Sequence, residues 1–213
     1  MYKDSAFAIG TGLRKLLYPS KTNELDGNKN FELIKYFSEA EYLTATSIAI
    51  LMGASRMKVQ KHLGDIWKKR VVKCVEVLAN TKPERVIKLW MPSTSALPKN
   101  AMEACRLAAL GAFYGRAKNI LADFEWGIMR SKDRKTLAAE MVYLPSGEKE
   151  KTRLVVDAPR RGEKPNAEAD IFIFPSVEEA MIFTPAGKRY TADMMLLNRN
   201  IDFKNLISDP VRR

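Results

Sequence analysis

Arg56, Lys58 and Lys61 follow Ser55 at helical spacing, with Met57 and Gln60 among them. Cations so spaced neutralise phosphates, and a glutamine amide can pair with an adenine edge. The chemistry implied is nucleic-acid recognition rather than bond making. On a helical wheel centred on Val59, the residues Leu63, Ile66 and Trp67 share one apolar sector. Met57, Lys61 and Lys68 fall on the opposite side, flanked by Lys58 and Gln60. A helix from Ser55 to about Arg70 is therefore expected to bury one side and offer the other to a DNA groove. His62 borders the apolar sector, where packing or a phosphate contact suits it better than a pH switch.

The elements that must position this helix lie on either side of it. Asn30–Glu39 reads as a first helix packing through Leu33, Ile34 and Phe37, with Asn30 as its cap. Thr44 or Thr46 caps a second helix running through Met52. Gly53-Ala54-Ser55 is the turn between helices, with Gly53 suited to the left-handed conformation and Ser55 to capping. After Arg70 the hydrophobic period changes from 3.6 to 2: Val71–Leu78 and Arg85–Met91 read as strands joined by a turn over 79–84. Three helices and a hairpin predict a winged helix-turn-helix over residues 30–91. Lys82 and Arg85 at the hairpin tip are placed to touch a backbone phosphate. The expected DNA-binding set is Ser55, Arg56, Met57, Lys58, Gln60, Lys61, Lys68, Lys82 and Arg85.

Residues 1–29 read as an N-terminal extension. It either covers part of the core or serves as a basic arm through Lys3, Arg14, Lys15 and Lys21. Residues 92–98, with two prolines and three hydroxyl residues, read as a linker. Residues 99–213 read as a smaller α+β domain: one long helix over 100–129 against a short-stranded sheet. Strands are expected at Leu137–Leu144, Thr152–Val156, Ala169–Phe174 and Glu179–Thr184, then one or two short helices over 191–207. The long helix is expected either to fill that domain's core or to pair two copies of the chain as a homodimer. The basic loop 160–164 is expected to be solvated.

The net charge of +11 is large for 213 residues and favours a polyanionic partner. It is concentrated: residues 1–98 carry 16 Lys and Arg against 9 Asp and Glu. No apolar run reaches the roughly 20 residues that span a bilayer, and no signal-peptide core opens the chain. A cytoplasmic protein without a membrane partner is expected. Cys74 and Cys105 sit apart in apolar contexts and read as core residues, and a single histidine argues against a His-based metal site. No cofactor is expected.

Fingerprints for phosphate-cradling loops, dinucleotide binding and the nucleophile elbow do not occur. One enzymatic alternative remains, a Mg²⁺-dependent DNA nuclease. Pro165-Asn166 and Asp170 stand near a strand, followed by Glu178, Glu179 and Lys188. Carboxylates would hold the metal, and a lysine would help polarise water. A winged helix, then a helix and a small sheet with Pro165-Asn166-Ala167-Glu168-Ala169-Asp170-Ile171 leading into a strand, resembles the replication-relaxation proteins of plasmids and integrative elements. That family joins a DNA-binding winged helix to a domain similar to the restriction-endonuclease fold. Asn166 stands where the family's pattern has an aspartate, and Glu179-Ala180-Met181 lacks the lysine two positions after the acid. The resemblance therefore implies a degenerate, non-enzymatic second domain. The expected function is a sequence-specific double-stranded DNA-binding protein. It would be an accessory factor in replication or transfer of a plasmid or mobile element, with a replication or relaxase partner protein, or else a transcriptional regulator.

Overall fold

A computed structural model describes residues 5–19, 31–80, 85–130 and 137–209 of the chain. It is an α+β protein with two sheets. The elements in order are β1 (Gly10–Lys15), α1 (Phe31–Glu39), β2 (Leu43–Thr44), α2 (Ala45–Leu51), α3 (Arg56–Lys68), β3 (Val72–Ala79) and β4 (Arg85–Pro92). There follow α4 (Ala101–Ala117), β5 (Ala122–Arg130), β6 (Leu137–Leu144), β7 (Thr152–Asp157), β8 (Ile171–Phe174), α5 (Val177–Phe183), β9 (Arg189–Ala192) and α6 (Asp193–Leu197). A single 3₁₀ turn, Phe203–Asn205, lies near the end.

The first sheet has the order β1-β3-β4-β2, with every pairing antiparallel. The expected helical start is thus preceded by a strand: the extension supplies β1, which closes the outer edge of β3. Arg14 stands opposite Glu76, and Glu76 opposite Lys88. Nothing local announced β1, because Gly10 and Gly12 are poor strand formers and the pairing partner lies some sixty residues away. Gly10 is needed for a close approach: a Cβ there would stand 2.4 Å from the Ala101 carbonyl oxygen.

The expected helix over 100–129 is corrected. α4 ends at Ala117, the chain turns, and Phe124, Trp126 and Ile128 alternate inward along β5. Their spacing also fits a helical step of four, which disguised the strand. Phe113 and Tyr114 of α4 meet Trp126 and Phe124 with ring centroids 5.9 Å apart in each pair. α4 is buried along nearly its whole length, so it has no free side through which to pair two chains.

The second sheet runs β5-β6-β7-β8-β9, antiparallel as far as β7 and parallel from β7 to β9. The strand expected at Glu179–Thr184 is the helix α5. Ser176 caps it by accepting from the Glu179 N–H at 3.2 Å, and its Ala180 packs on Phe172 and Phe174. The 191–197 stretch divides between β9 and α6.

The halves share one core, from Leu33 in α1 to Ile173 in β8. α4 seats directly on the backbone of the first half: a Cβ on Gly111 would stand 2.3 Å from the Tyr42 carbonyl oxygen, and one on Gly115 2.9 Å from that of Ser47. The connection over 92–98 is held down. The Tyr42 hydroxyl donates to the Ala96 carbonyl at 2.9 Å, and Lys73 donates to the Ser93 carbonyl.

Arg106 and Arg160 of the second half are buried. Arg160 donates to Asp193 at 2.8 Å and to the Ile173 and Ala158 carbonyls, and Ser5 donates to the same Asp193 oxygen. Arg106 of α4 donates to Asp157 at 3.1 Å and to Glu163 at 2.7 Å. The loop expected to be solvated therefore begins with a fully buried cation. Among the described residues no helix is long and apolar enough to cross a membrane.

Candidate nucleic-acid interface

α3 starts where local chemistry requires it to. Gly53 takes φ +57°, and Ala54 N–H closes on the Ala49 carbonyl at 3.0 Å, which ends α2. Ser55 then accepts from the Lys58 N–H at 3.3 Å. Burial follows the apolar sector: Val59, Leu63 and Ile66 are fully buried. Trp67 is half-buried against Tyr18, with ring centroids 6.4 Å apart.

The other side of α3 faces out. Ser55, Arg56, Met57, Lys58, Gln60, Lys61 and Lys68 are all exposed, Met57 to 80%. His62 borders the two sides and is half-buried. Among the described residues, Asp65 on the same helix ion-pairs with Lys68, at 4.0 Å. The first turn of α3 carries Arg56 and Lys58 and no acidic residue. Unpaired N–H groups and the positive end of the helix dipole favour an anion there, so two cations at that end work against the isolated helix by a few tenths of a kcal/mol. An incoming phosphate reverses the sign of that term.

Past the C-terminus of α3, Arg70 holds φ +60°, a conformation usually left to glycine. Its guanidinium lies over the Tyr18 ring, 5.8 Å from the centroid. Burial pushes the Tyr18 hydroxyl pKa up, and Arg70 partly opposes the shift.

On the hairpin, Arg85 is exposed where β4 begins, opposite Ala79. Lys82 lies outside the described residues. Lower on the same hairpin, Glu76 sits between Arg14 and Lys88, Arg14 closely bound and Lys88 at 3.6 Å. The hydrogen bond from Arg14, reinforced by both cations, holds the Glu76 carboxyl below the usual range. β1 thus supplies one cation that is partly neutralised, and Lys15, which is exposed.

The second half also reaches this side. Asn119 donates to the Leu51 carbonyl at 2.8 Å, and exposed Arg199 donates to the Ala54 carbonyl at 3.0 Å. Arg199 therefore stands beside the turn that precedes α3. Sequence reasoning missed it because 145 residues separate the partners and its local context carries no signal.

The nuclease residues do not converge. Asp170 precedes β8, accepts from the Val155 N–H and pairs with Lys188 at 3.3 Å. Glu179 lies beyond the other end of β8, about 10 Å of strand away, and is bound by Arg161 at 2.9 Å. Asn166 accepts from the Glu168 N–H at 3.1 Å in a local turn. Among the described residues no three His, Cys, Asp or Glu side chains are grouped to hold a metal ion. Cys74 and Cys105 are buried, unpaired thiols whose pKa values burial pushes up to about 12. A cleft of about 500 Å³ lies between the 160–165 loop and α5, lined by Arg161, Lys164, Phe174, Glu179 and Phe183. On its rim Arg161 donates to Glu179, and the Phe174 and Phe183 rings pack together. No protein-family model, curated protein or solved structure matches the chain.

Proposed function

We propose that the protein binds double-stranded DNA sequence-specifically, without enzymatic activity, through a winged helix-turn-helix built from α1, β2, α2, α3 and the β3–β4 hairpin. α3 enters a major groove, and Gln60 and Met57 meet base edges and thymine methyl groups. Arg56, Lys58, Lys61 and Lys68 take phosphates, while Arg85 grips the neighbouring backbone from the hairpin. The observation that carries this reading is the division of α3. Every expected contact residue on it is exposed, while Val59, Leu63 and Ile66 beneath are closed off from water. Arg199, seated against the turn before α3, extends the cationic surface.

The resemblance to replication-relaxation proteins favours a role in replication or transfer of mobile DNA, and a transcriptional regulator would use the same residues. In this reading the second half braces α3 and docks a replication or relaxase partner protein. A mobility-shift selection against random duplexes at low salt tests the proposal. Recovery of a common site supports it, and failure to shift any duplex overturns it.

A further inference from the structure

Gly64 stands on the outer side of α3, about 140° around the helix from Val59 and between Gln60 and Met57 on the wheel. Glycine in a helix interior weakens the helix, because it gives up the most backbone freedom on folding. Elsewhere in this protein the helical glycines have an internal reason: Gly111 and Gly115 admit the Tyr42 and Ser47 carbonyls. Gly64 has none. A Cβ added there would meet nothing within 4 Å, and the backbone is ordinary helix. The fold therefore gains nothing from the missing side chain, on a surface whose nearest members are the long side chains of Gln60, Lys61 and Lys68 and the exposed Met57. Those cations converge on a polyanion, and a gap among long side chains is where its backbone can come nearest.

We infer that Gly64 is the point of closest approach between α3 and the DNA, and that a side chain there lifts the helix out of the groove. This rests on the DNA-binding reading and specifies how the same surface is seated. Contacts from Arg56, Lys58 and Lys61 on one side of the gap and Lys68 on the other fix the register only if the helix lies flat between them. Small displacements at the centre lengthen the phosphate contacts at both ends.

The test compares wild type, Gly64→Ala and Gly64→Lys on the duplex that wild type selects, with a thermal melt of each. Gly64→Ala is expected to raise Tm by about 2–4 °C and to weaken binding by about tenfold, the size of one lost specific contact. Gly64→Lys adds a positive charge and is nonetheless expected to bind more weakly than Gly64→Ala. Equal affinity for wild type and Gly64→Ala, or tighter binding by Gly64→Lys, overturns the inference while leaving DNA binding in place. If wild type shifts no duplex, the underlying reading fails and this inference goes with it. The rise in Tm separates a seating defect from a folding defect.

Discussion

Replacing Gly111 by alanine should unseat α4 from the first half. Alanine favours a helix interior over glycine by about 1 kcal/mol, so an unobstructed site would be stabilised. At Gly111 the added Cβ would stand 2.3 Å from the Tyr42 carbonyl oxygen, with the Leu43 side chain at 3.4 Å. Ordinary contact requires more than 1 Å of further separation. The obstacle is backbone at the start of β2, and β2 is paired to β4 through Leu43 opposite Trp90. Either α4 shifts away from the aromatic cluster at Trp126, or β2 moves against its sheet. Overpacking of this kind costs about 1–3 kcal/mol, and more where backbone must move. Taking the upper end of that range against the helical gain, the net loss should be about 2 kcal/mol, or about 4–8 °C in Tm for a chain of this size. Gly115→Ala should cost less, because its Cβ would stand 2.9 Å from the Ser47 carbonyl oxygen. Urea or thermal unfolding of the two variants beside wild type is the assay. A Gly111→Ala protein as stable as wild type would refute the close seating of α4 on β2 and α2.

Arg70→Gly should leave stability within about 1 kcal/mol of wild type, since relief of the left-handed backbone offsets the lost stacking on Tyr18. Thermal unfolding beside wild type is the check, and a loss well above about 1 kcal/mol would show that the contact with Tyr18 outweighs the relief. Glu76 should make stability acid-sensitive. Its folded pKa is depressed by Arg14 and Lys88, so its contribution is complete above the ordinary carboxylate value of about 4.3 and fades as pH falls through the lower folded value. Unfolding curves should show Glu76→Gln less stable than wild type at neutral pH, the difference shrinking towards pH 3; a constant difference would reject the ion pairs as its source.

The parts of this fold that were legible in the chain are those decided within a few residues. Ser55 before a 3.6-residue pattern, Gly53 before Ser55, and the shift to alternation after Arg70 each have a local cause, and α3 and the β3–β4 hairpin lie where those signals put them. α5 had such a signal too, Ser176 followed three residues later by Glu179, but the apolar run after it suggested a strand. β5 was hidden because Phe124 and Ile128 suit a helix as well as a strand. β1, the burial of Arg160 against Asp193 and the placing of Arg199 beside Ala54 depend on partners far along the chain. Charge alone marks such residues as solvated; only the folded arrangement reveals which cations are enclosed and which remain for a ligand.

The central claim is that the outer side of α3 holds DNA, and salt titration of the Lys61→Ala/Lys68→Ala double variant addresses it most directly. Both side chains are exposed, and neither supports the core, so Tm should match wild type. On the duplex that wild type selects, affinity should fall and the slope of log affinity against log salt should drop by about 1.8, two phosphates at 0.9 each. Wild-type affinity with an unchanged slope would contradict the account.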